Sequence, residues 1–213
     1  MQHQWDAYVT EIVRAVVPRR IRKSLYHAVL DRRIECLPSR RFIHQTLLPL
    51  LGADCANLLF VGIQGYNRQI ARTCASLDLT LWTVDVDPAA MRWGAPSKHI
   101  VGDVRAIDQQ IAAGFFDAAI MNGVLGYGVD DPQGAEESIR ALATVVKPNG
   151  FVVIGWNPGR VADYRDLAVV RQCLVPAQLG GSPASVEFPP DAVQSHVHRY
   201  DLYRVRQLSN TSS

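Results

Sequence analysis

Cysteine is scarce and scattered in this 213-residue sequence: Cys36, Cys55, Cys74 and Cys173 are its four, and no two stand in a C-x-x-C or other metal-ligand spacing. That excludes a disulfide framework and a regularly spaced zinc module, so no metal is expected and the four are read as reduced, mostly buried thiols. Long apolar runs are missing as well. No stretch approaches the roughly 18 residues that a membrane-spanning helix needs, and no membrane span is expected. The opening residues, Met1-Gln2-His3-Gln4-Trp5-Asp6, hold no basic segment leading into an apolar core. No secretory signal is read there, and a cytoplasmic location is the expectation. Net charge is also small, with 22 Lys and Arg against 20 Asp and Glu.

What the sequence does have is a hydrophobic fraction of 48%, ordinary for a globular chain and enough for one substantial core. Its charge is unevenly spread: residues 1–50 sum to +5 and the remainder to −3. Arg19, Arg20, Arg22, Lys23, Arg32, Arg33, Arg40 and Arg41 make the early part basic. An anionic substrate, a nucleic acid or an acidic membrane surface would suit such a face, and so would plain solvation of a helix surface.

Hydrophobic periodicity divides the chain. Trp5, Val9, Ile12, Val13 and Val16 recur at helical steps until Pro18, a second helix is read over Arg20–Asp31, and a third over Arg41–Leu51, closed by Gly52. Residues 1–52 are thus an N-terminal helical cap, ahead of a domain over 53–208 and a flexible tail over 209–213. Beyond Asp54 the texture changes to short apolar runs at Asn57–Gly62, Thr80–Asp85, Phe116–Asn122 and Gly150–Trp156. Helices are read between them around Asn67–Leu77, Pro88–Arg92, Val104–Ala113 and Gln133–Val146. Strands that are apolar throughout and alternate with helices imply a Rossmann-like, doubly wound, mostly parallel α/β sheet that binds ligands at its strand carboxyl ends. A Gly- and Pro-rich segment over 157–184, with one helical stretch at Ala162–Cys173, reads as a mobile or substrate-covering segment, and Ser195–Gln207 can supply a last strand.

The run Leu58-Leu59-Phe60-Val61-Gly62-Ile63-Gln64-Gly65-Tyr66-Asn67 is a buried strand entering a glycine turn. Gly62 lets the chain turn without a Cβ clash, and Gly65 lets backbone approach a ligand closely. About twenty residues on, Leu81-Trp82-Thr83-Val84-Asp85-Val86-Asp87-Pro88 ends the second strand in a carboxylate, placed for a pair of ribose hydroxyls. Asp87 before Pro88 reads as a helix N-cap. Three further segments follow in order: Val101-Gly102-Asp103-Val104, Phe116-Asp117-Ala118-Ala119-Ile120-Met121-Asn122-Gly123-Val124-Leu125 and Val145-Val146-Lys147-Pro148-Asn149-Gly150-Phe151.

Taken together, these five segments over about residues 57–156 resemble the class I S-adenosylmethionine-dependent methyltransferases. The resemblance implies a seven-stranded sheet and S-adenosylmethionine as cofactor, held by Gly62, Ile63, Gln64, Gly65, Asp85, Val86, Asp103, Val104, Asn122 and Gly123. In it Asp103 would accept a hydrogen bond from the adenine amino group, and a helix cap is the equal alternative for that residue. No catalytic group is fixed by the fold. Asn122, Tyr127, His99 and Trp156 are the candidates, with Asn157 and the His196/His198 pair beside them, and for each a purely structural role is the stronger reading. Trp156-Asn157-Pro158 follows the fifth strand and is read as facing an acceptor pocket.

The absence of an asparagine-proline-proline-aromatic motif argues for a small-molecule or sugar acceptor, methylated at oxygen or nitrogen. An anionic acceptor, a nucleic-acid acceptor and a homodimer remain open alternatives. A nicotinamide-dependent oxidoreductase shares the glycine turn, but the compact G-x-G-x-x-G and a Tyr-x-x-x-Lys pair are both missing. Phe60-Val61 stands where the family carries a first-strand acid, and Asn67 near its third glycine. These departures support a second reading, a non-catalytic module that keeps the methyltransferase fold for binding or assembly.

Overall fold

The computed structural model describes residues 29–207; the helix read over Trp5–Val17 and most of that over Arg20–Asp31 lie outside the described residues. The third expected helix starts earlier than its hydrophobic pattern indicates. Helix α1 (Pro38–Phe42) opens with proline at its first turn, passes through a π turn at Ile43–Leu47 and continues as α2 (Leu48–Gly52). Pro49 has no N–H to give back along the helix, and the widened turn, in which Leu48 N–H reaches Ile43 O, accommodates it.

The strands form where apolar residues are covered from both sides. In β1 (Asn57–Val61), Leu58 and Phe60 belong to one buried cluster while Leu59 and Val61 belong to the other. Strand β2 is Thr80–Asp85, β3 His99–Val101 and β4 Phe116–Asn122. Strand β5 runs over Val146–Trp156, with β6 at Leu174–Pro176, β7 at Ser185–Phe188 and β8 at His198–Val205. Their order is β3-β2-β1-β4-β5-β8-β6, with β7 also on β8. β1 to β5 are mutually parallel, and β8 inserts antiparallel beside β5, Tyr203 facing Val152 and Asp201 facing Ile154. The sheet therefore has seven positions but eight strands. β6 and β7 share the outer edge of β8, separated by a loop in which Gly180 and Gly181 take positive φ.

One face of the sheet is covered by α4 (Pro132–Val145), through Ile139, Leu142 and Val145, and by Val169 of α5 (Ala168–Cys173). The other is covered by Ile70 and Cys74 of α3 (Ile70–Ser76) and by Ile43, Leu47, Leu48 and Leu51 of the α1–α2 run. The residues from Pro38 to Gly52 thus contribute fully buried leucines to the core of the sheet itself, each worth about 1.5–3 kcal/mol of burial. Tyr200 of β8 ties the same run down, donating its hydroxyl to Ser39 O at 3.1 Å.

Three of the expected helices are shorter or tighter than read. The first becomes a 3-10 turn at Gly65–Asn67 followed by α3, and the segments after β2 and β3 are 3-10 turns, Pro88–Trp93 and Val104–Gln109. Each of the latter is started by an aspartate cap, Asp87 on Ala89 N–H and Asp103 on Arg105 N–H, and is too short to complete several α turns. Lys147-Pro148-Asn149-Gly150 lies within β5 as a register shift opposite Phe116 and Ala118, with Asn149 at φ 63°.

Candidate functional site

The chain winds outward in both directions from β1 and β4, and their carboxyl ends open a crevice at this switch point. Gly62 sits there at φ 85°, where a Cβ would stand 2.5 Å from Asn122 O, so no larger residue fits. Asp85, closing β2, braces the turn: Oδ2 accepts from Ile63 N–H at 2.9 Å and Oδ1 from Asp87 N–H at 2.9 Å. Asn67 acts where the third glycine is missing. Its N–H donates to Gln64 O at 2.8 Å while its Oδ1 accepts from Gln64 N–H at 3.1 Å, locking the turn.

These residues form a cleft of about 390 Å³, within the usual size of ligand pockets. Of the residues expected to hold a cofactor, Gly62, Gln64, Asp85, Val86, Asp103, Val104 and Gly123 line it, together with Gly102, Arg105 and Tyr127. Three residues assigned to it do not. The Ile63 side chain is in the core, leaving only its backbone to the turn. Gly65 is covered by Asp31, whose Oδ2 lies 2.1 Å from where a Cβ would be. Asn122 is buried with both side-chain polar atoms unpartnered, its Oδ1 against Gly155 rather than in the cleft. Asp103 proves to be a cap: Oδ1 receives Arg105 N–H and Oδ2 receives Arg105 Nε at 2.8 Å and Nη2 at 2.5 Å, which holds its carboxyl below the usual range. An adenine amino group would have to share that carboxylate with Arg105.

A second cleft of about 310 Å³ adjoins the first, the two meeting at Gly123 and Tyr127. Its walls include Arg40, Tyr66, Asn157, His196 and His198. Asn157 Nδ2 donates to Tyr127 Oη at 3.1 Å, which leaves Oδ1 for His198 Nδ1 at 2.6 Å. His198 therefore carries its proton on Nδ1 and presents an unprotonated Nε2, buried and without a partner among the described residues. Arg160 stacks 4.0 Å over the Tyr127 ring and bonds Gly126 O, fixing the loop that carries Tyr127.

Two catalytic candidates are corrected by their surroundings. Trp156 faces the core, where its Nε1–H donates to Asp201 Oδ2 at 2.8 Å and its ring meets Tyr164 edge-on. His99 lines neither cleft; Thr83 Oγ1 lies 2.9 Å from its Nδ1 and accepts Ala95 N–H, securing β3 to β2. Tyr66 is not legible as a site residue, and Arg40 only as one of a basic set suited to an anionic partner, because their place depends on α1 docking beside β8. Among the described residues, no cluster of His, Cys, Asp and Glu has the arrangement to hold a metal ion, and no helix is long and apolar enough to cross a membrane.

Burial, with Arg40 adding to it, pushes the His198 imidazole down to about 3. In the unfolded chain the group titrates near 6.5, so between these values unfolding takes up a proton. The contribution of neutral His198 is fully present above about pH 6.5 and is lost as pH falls toward 3, with a slope of up to about 1.4 kcal/mol per pH unit. His44 and His99 are lowered by burial in the same sense. Urea midpoints measured from pH 7 down to 4 should fall less steeply for His198→Gln than for the wild type; parallel curves would remove His198 as the group responsible.

No protein-family model and no curated protein matches the chain. Its similarity is to solved structures. The N-methyltransferase NodS from Bradyrhizobium japonicum WM9, in complex with S-adenosyl-L-homocysteine, aligns with a TM-score of 0.60 at 20% identity, covering 85% of this chain and 98% of that one. The Burkholderia thailandensis 1,6-didemethyltoxoflavin-N1-methyltransferase, with 1,6-didemethyltoxoflavin and S-adenosylhomocysteine bound, aligns at 0.56 and 14% identity over 96% and 90% of the two chains. A TehB-like S-adenosylmethionine-dependent methyltransferase from Corynebacterium glutamicum aligns at 0.52 and 16% identity, over 78% and 94%. The chain has a Rossmann-like α/β fold, and within that class it has the fold of the class I S-adenosylmethionine-dependent methyltransferases.

Proposed function

We propose that this chain is an S-adenosylmethionine-dependent methyltransferase acting on a small-molecule or sugar acceptor at an oxygen or nitrogen atom. The observation that carries the reading is the pair of clefts joined at Gly123 and Tyr127, one built on the glycine turn and Asp85, the other on Tyr127, Asn157 and His198. The first suits the cofactor. Each Asp85 oxygen accepts one backbone N–H and retains a lone pair for a ribose hydroxyl, and Gly62 offers backbone with no Cβ in the way. When bound there, S-adenosylmethionine supplies a methyl group activated on a sulfonium.

Methyl transfer is an in-line displacement, so the protein's share is alignment and exclusion of water. Tyr127 stands at the junction of the clefts, fixed by Asn157 and Arg160. His198 Nε2 can accept the hydrogen of an acceptor O–H or N–H, orienting the oxygen or nitrogen lone pair. Support also comes from what two of the neighbours hold in their crystals, S-adenosylhomocysteine in both and a small-molecule substrate in one. Arg105's hold on Asp103 favours the second reading, a non-catalytic module with this fold.

Calorimetric titration separates the two. S-adenosylmethionine and S-adenosylhomocysteine are expected to bind with dissociation constants on the order of micromolar, about −8 kcal/mol, and NAD is expected not to bind. Heats of dilution alone for both sulfur ligands would reject the enzyme in favour of the module.

A further inference from the structure

Among the described residues Arg40 is a cation without a counter-charge. It is only 8% exposed, yet among the described residues no carboxylate lies within salt-bridge distance of it. Its Nη1 donates to Tyr200 Oη at 3.4 Å, a long bond, and its Nε is buried with no partner among the described residues. Burying a guanidinium in this way is strongly unfavourable unless an anion completes it. Arg40 borders the second cleft, where His198 Nε2 is also buried and unpartnered. The two orphaned groups are complementary, one a donor with positive charge and the other a neutral acceptor.

We infer that the second cleft receives a small organic acid whose carboxylate is clasped by Arg40 and whose hydroxyl or amino group donates to His198 Nε2. A carboxylate suits the edge of the guanidinium that the protein leaves free, since Nε and Nη2 form the planar fork that meets two carboxylate oxygens side by side. A monoanion suits the charge. Among the described residues Arg40 is the sole Lys or Arg on the cleft wall and no acid stands there, and His198 is neutral at pH 7. The Tyr66 ring, 5.1 Å below the guanidinium, and the Tyr127 ring favour a flat, partly apolar body between the two polar ends. The identification of this acid as the methyl acceptor rests on the methyltransferase reading; the anion site itself does not.

NMR titration of the full chain, with and without S-adenosylhomocysteine, tests it. The probe is para-hydroxybenzoate, and its neutral isostere para-hydroxybenzamide is the control. The acid is expected to bind at least about tenfold more tightly than the amide and to shift the imidazole signals of His198 while leaving those of His44 in place. Arg40→Met is expected to weaken the acid by about ten- to a hundredfold and to erase its advantage over the amide. Arg140→Gln, which removes the same charge from the exposed face of α4, should leave both titrations as they are. Should Arg40→Met fail to fold, the comparison of acid and amide on the wild-type chain still decides. Equal binding of the two, no binding of either, or binding that does not move His198 would overturn the inference. Failure of S-adenosylhomocysteine to bind would instead count against methyl transfer, with the anion result read from the cofactor-free arm.

Discussion

Replacing Asp201 by alanine is expected to cost about 3–5 kcal/mol of unfolding free energy, the range for breaking a buried charged network on one side. Asp201 lies in β8 with 3% of its surface exposed, and its two oxygens collect four side-chain donors. Oδ2 accepts from Trp156 Nε1 at 2.8 Å and from the Tyr164 hydroxyl at 2.9 Å; Oδ1 accepts from Ser185 Oγ at 2.8 Å and Arg199 Nε at 2.7 Å. Alanine would strand an indole N–H and a phenol in the core and leave a cavity between β5, β7 and β8. Burial and the neighbouring Tyr203 and Asp201 push the Tyr164 hydroxyl well up, so ionisation of the phenol offers no relief at neutral pH. Asp201→Asn keeps the shape but turns one acceptor into a donor facing donors, and should lose roughly half as much. Urea unfolding at unchanged m measures both. A loss below about 1 kcal/mol for the alanine variant would mean that the network contributes no more than an exposed pair.

This network also marks the limit of what the sequence discloses. β1, β2 and β4 were legible because each is a local event, a short and mainly apolar run that both sheet faces require, and Asp85 was legible because it closes such a run at a fixed distance from Gly62. Trp156 closes β5 by the same local logic, and the sequence alone leaves it between a core aromatic and a residue facing a pocket. Its orientation is decided by Asp201, 45 residues away, which no periodicity announces. Asp103 shows the reverse. Its two readings, cap and adenine partner, use the same carboxylate, and the choice turns on Arg105 two residues later. The division of β6 from β7 is not legible because two short edge strands, one within the Gly- and Pro-rich segment and one just after it, have no amphipathic pattern of their own. Arg40 stood out only as one basic residue among many; its burial is a consequence of Tyr200 bonding Ser39 across the core.

Asp85→Ala is expected to weaken S-adenosylhomocysteine binding by at least about a hundredfold, the equivalent of losing two charge-assisted hydrogen bonds. The carboxylate has a second task, since it also holds Ile63 and Asp87 N–H groups in the turn. The Asp87 N–H is exposed and water replaces its missing acceptor, whereas the Ile63 bond is part-buried, so the stability loss should be about 1–2 kcal/mol. For a chain of this length that is a fall in Tm of about 2–8 °C, small enough that the protein remains folded at 25 °C. Asp85→Asn separates the tasks less cleanly, because its amide would set an N–H against one of the two backbone donors. Asp85→Glu is more telling, as it keeps the charge and moves it outward by one methylene. If the site needs only negative charge, the glutamate variant binds nearly as the wild type does; if it needs a carboxylate fixed by the turn, binding falls almost as far as with alanine. The two backbone bonds to Asp85 favour the second result, because they make the position of the oxygens, and not merely their charge, a property of the fold. An alanine variant that retained S-adenosylhomocysteine affinity within about threefold, under 1 kcal/mol, would remove Asp85 from the cofactor site.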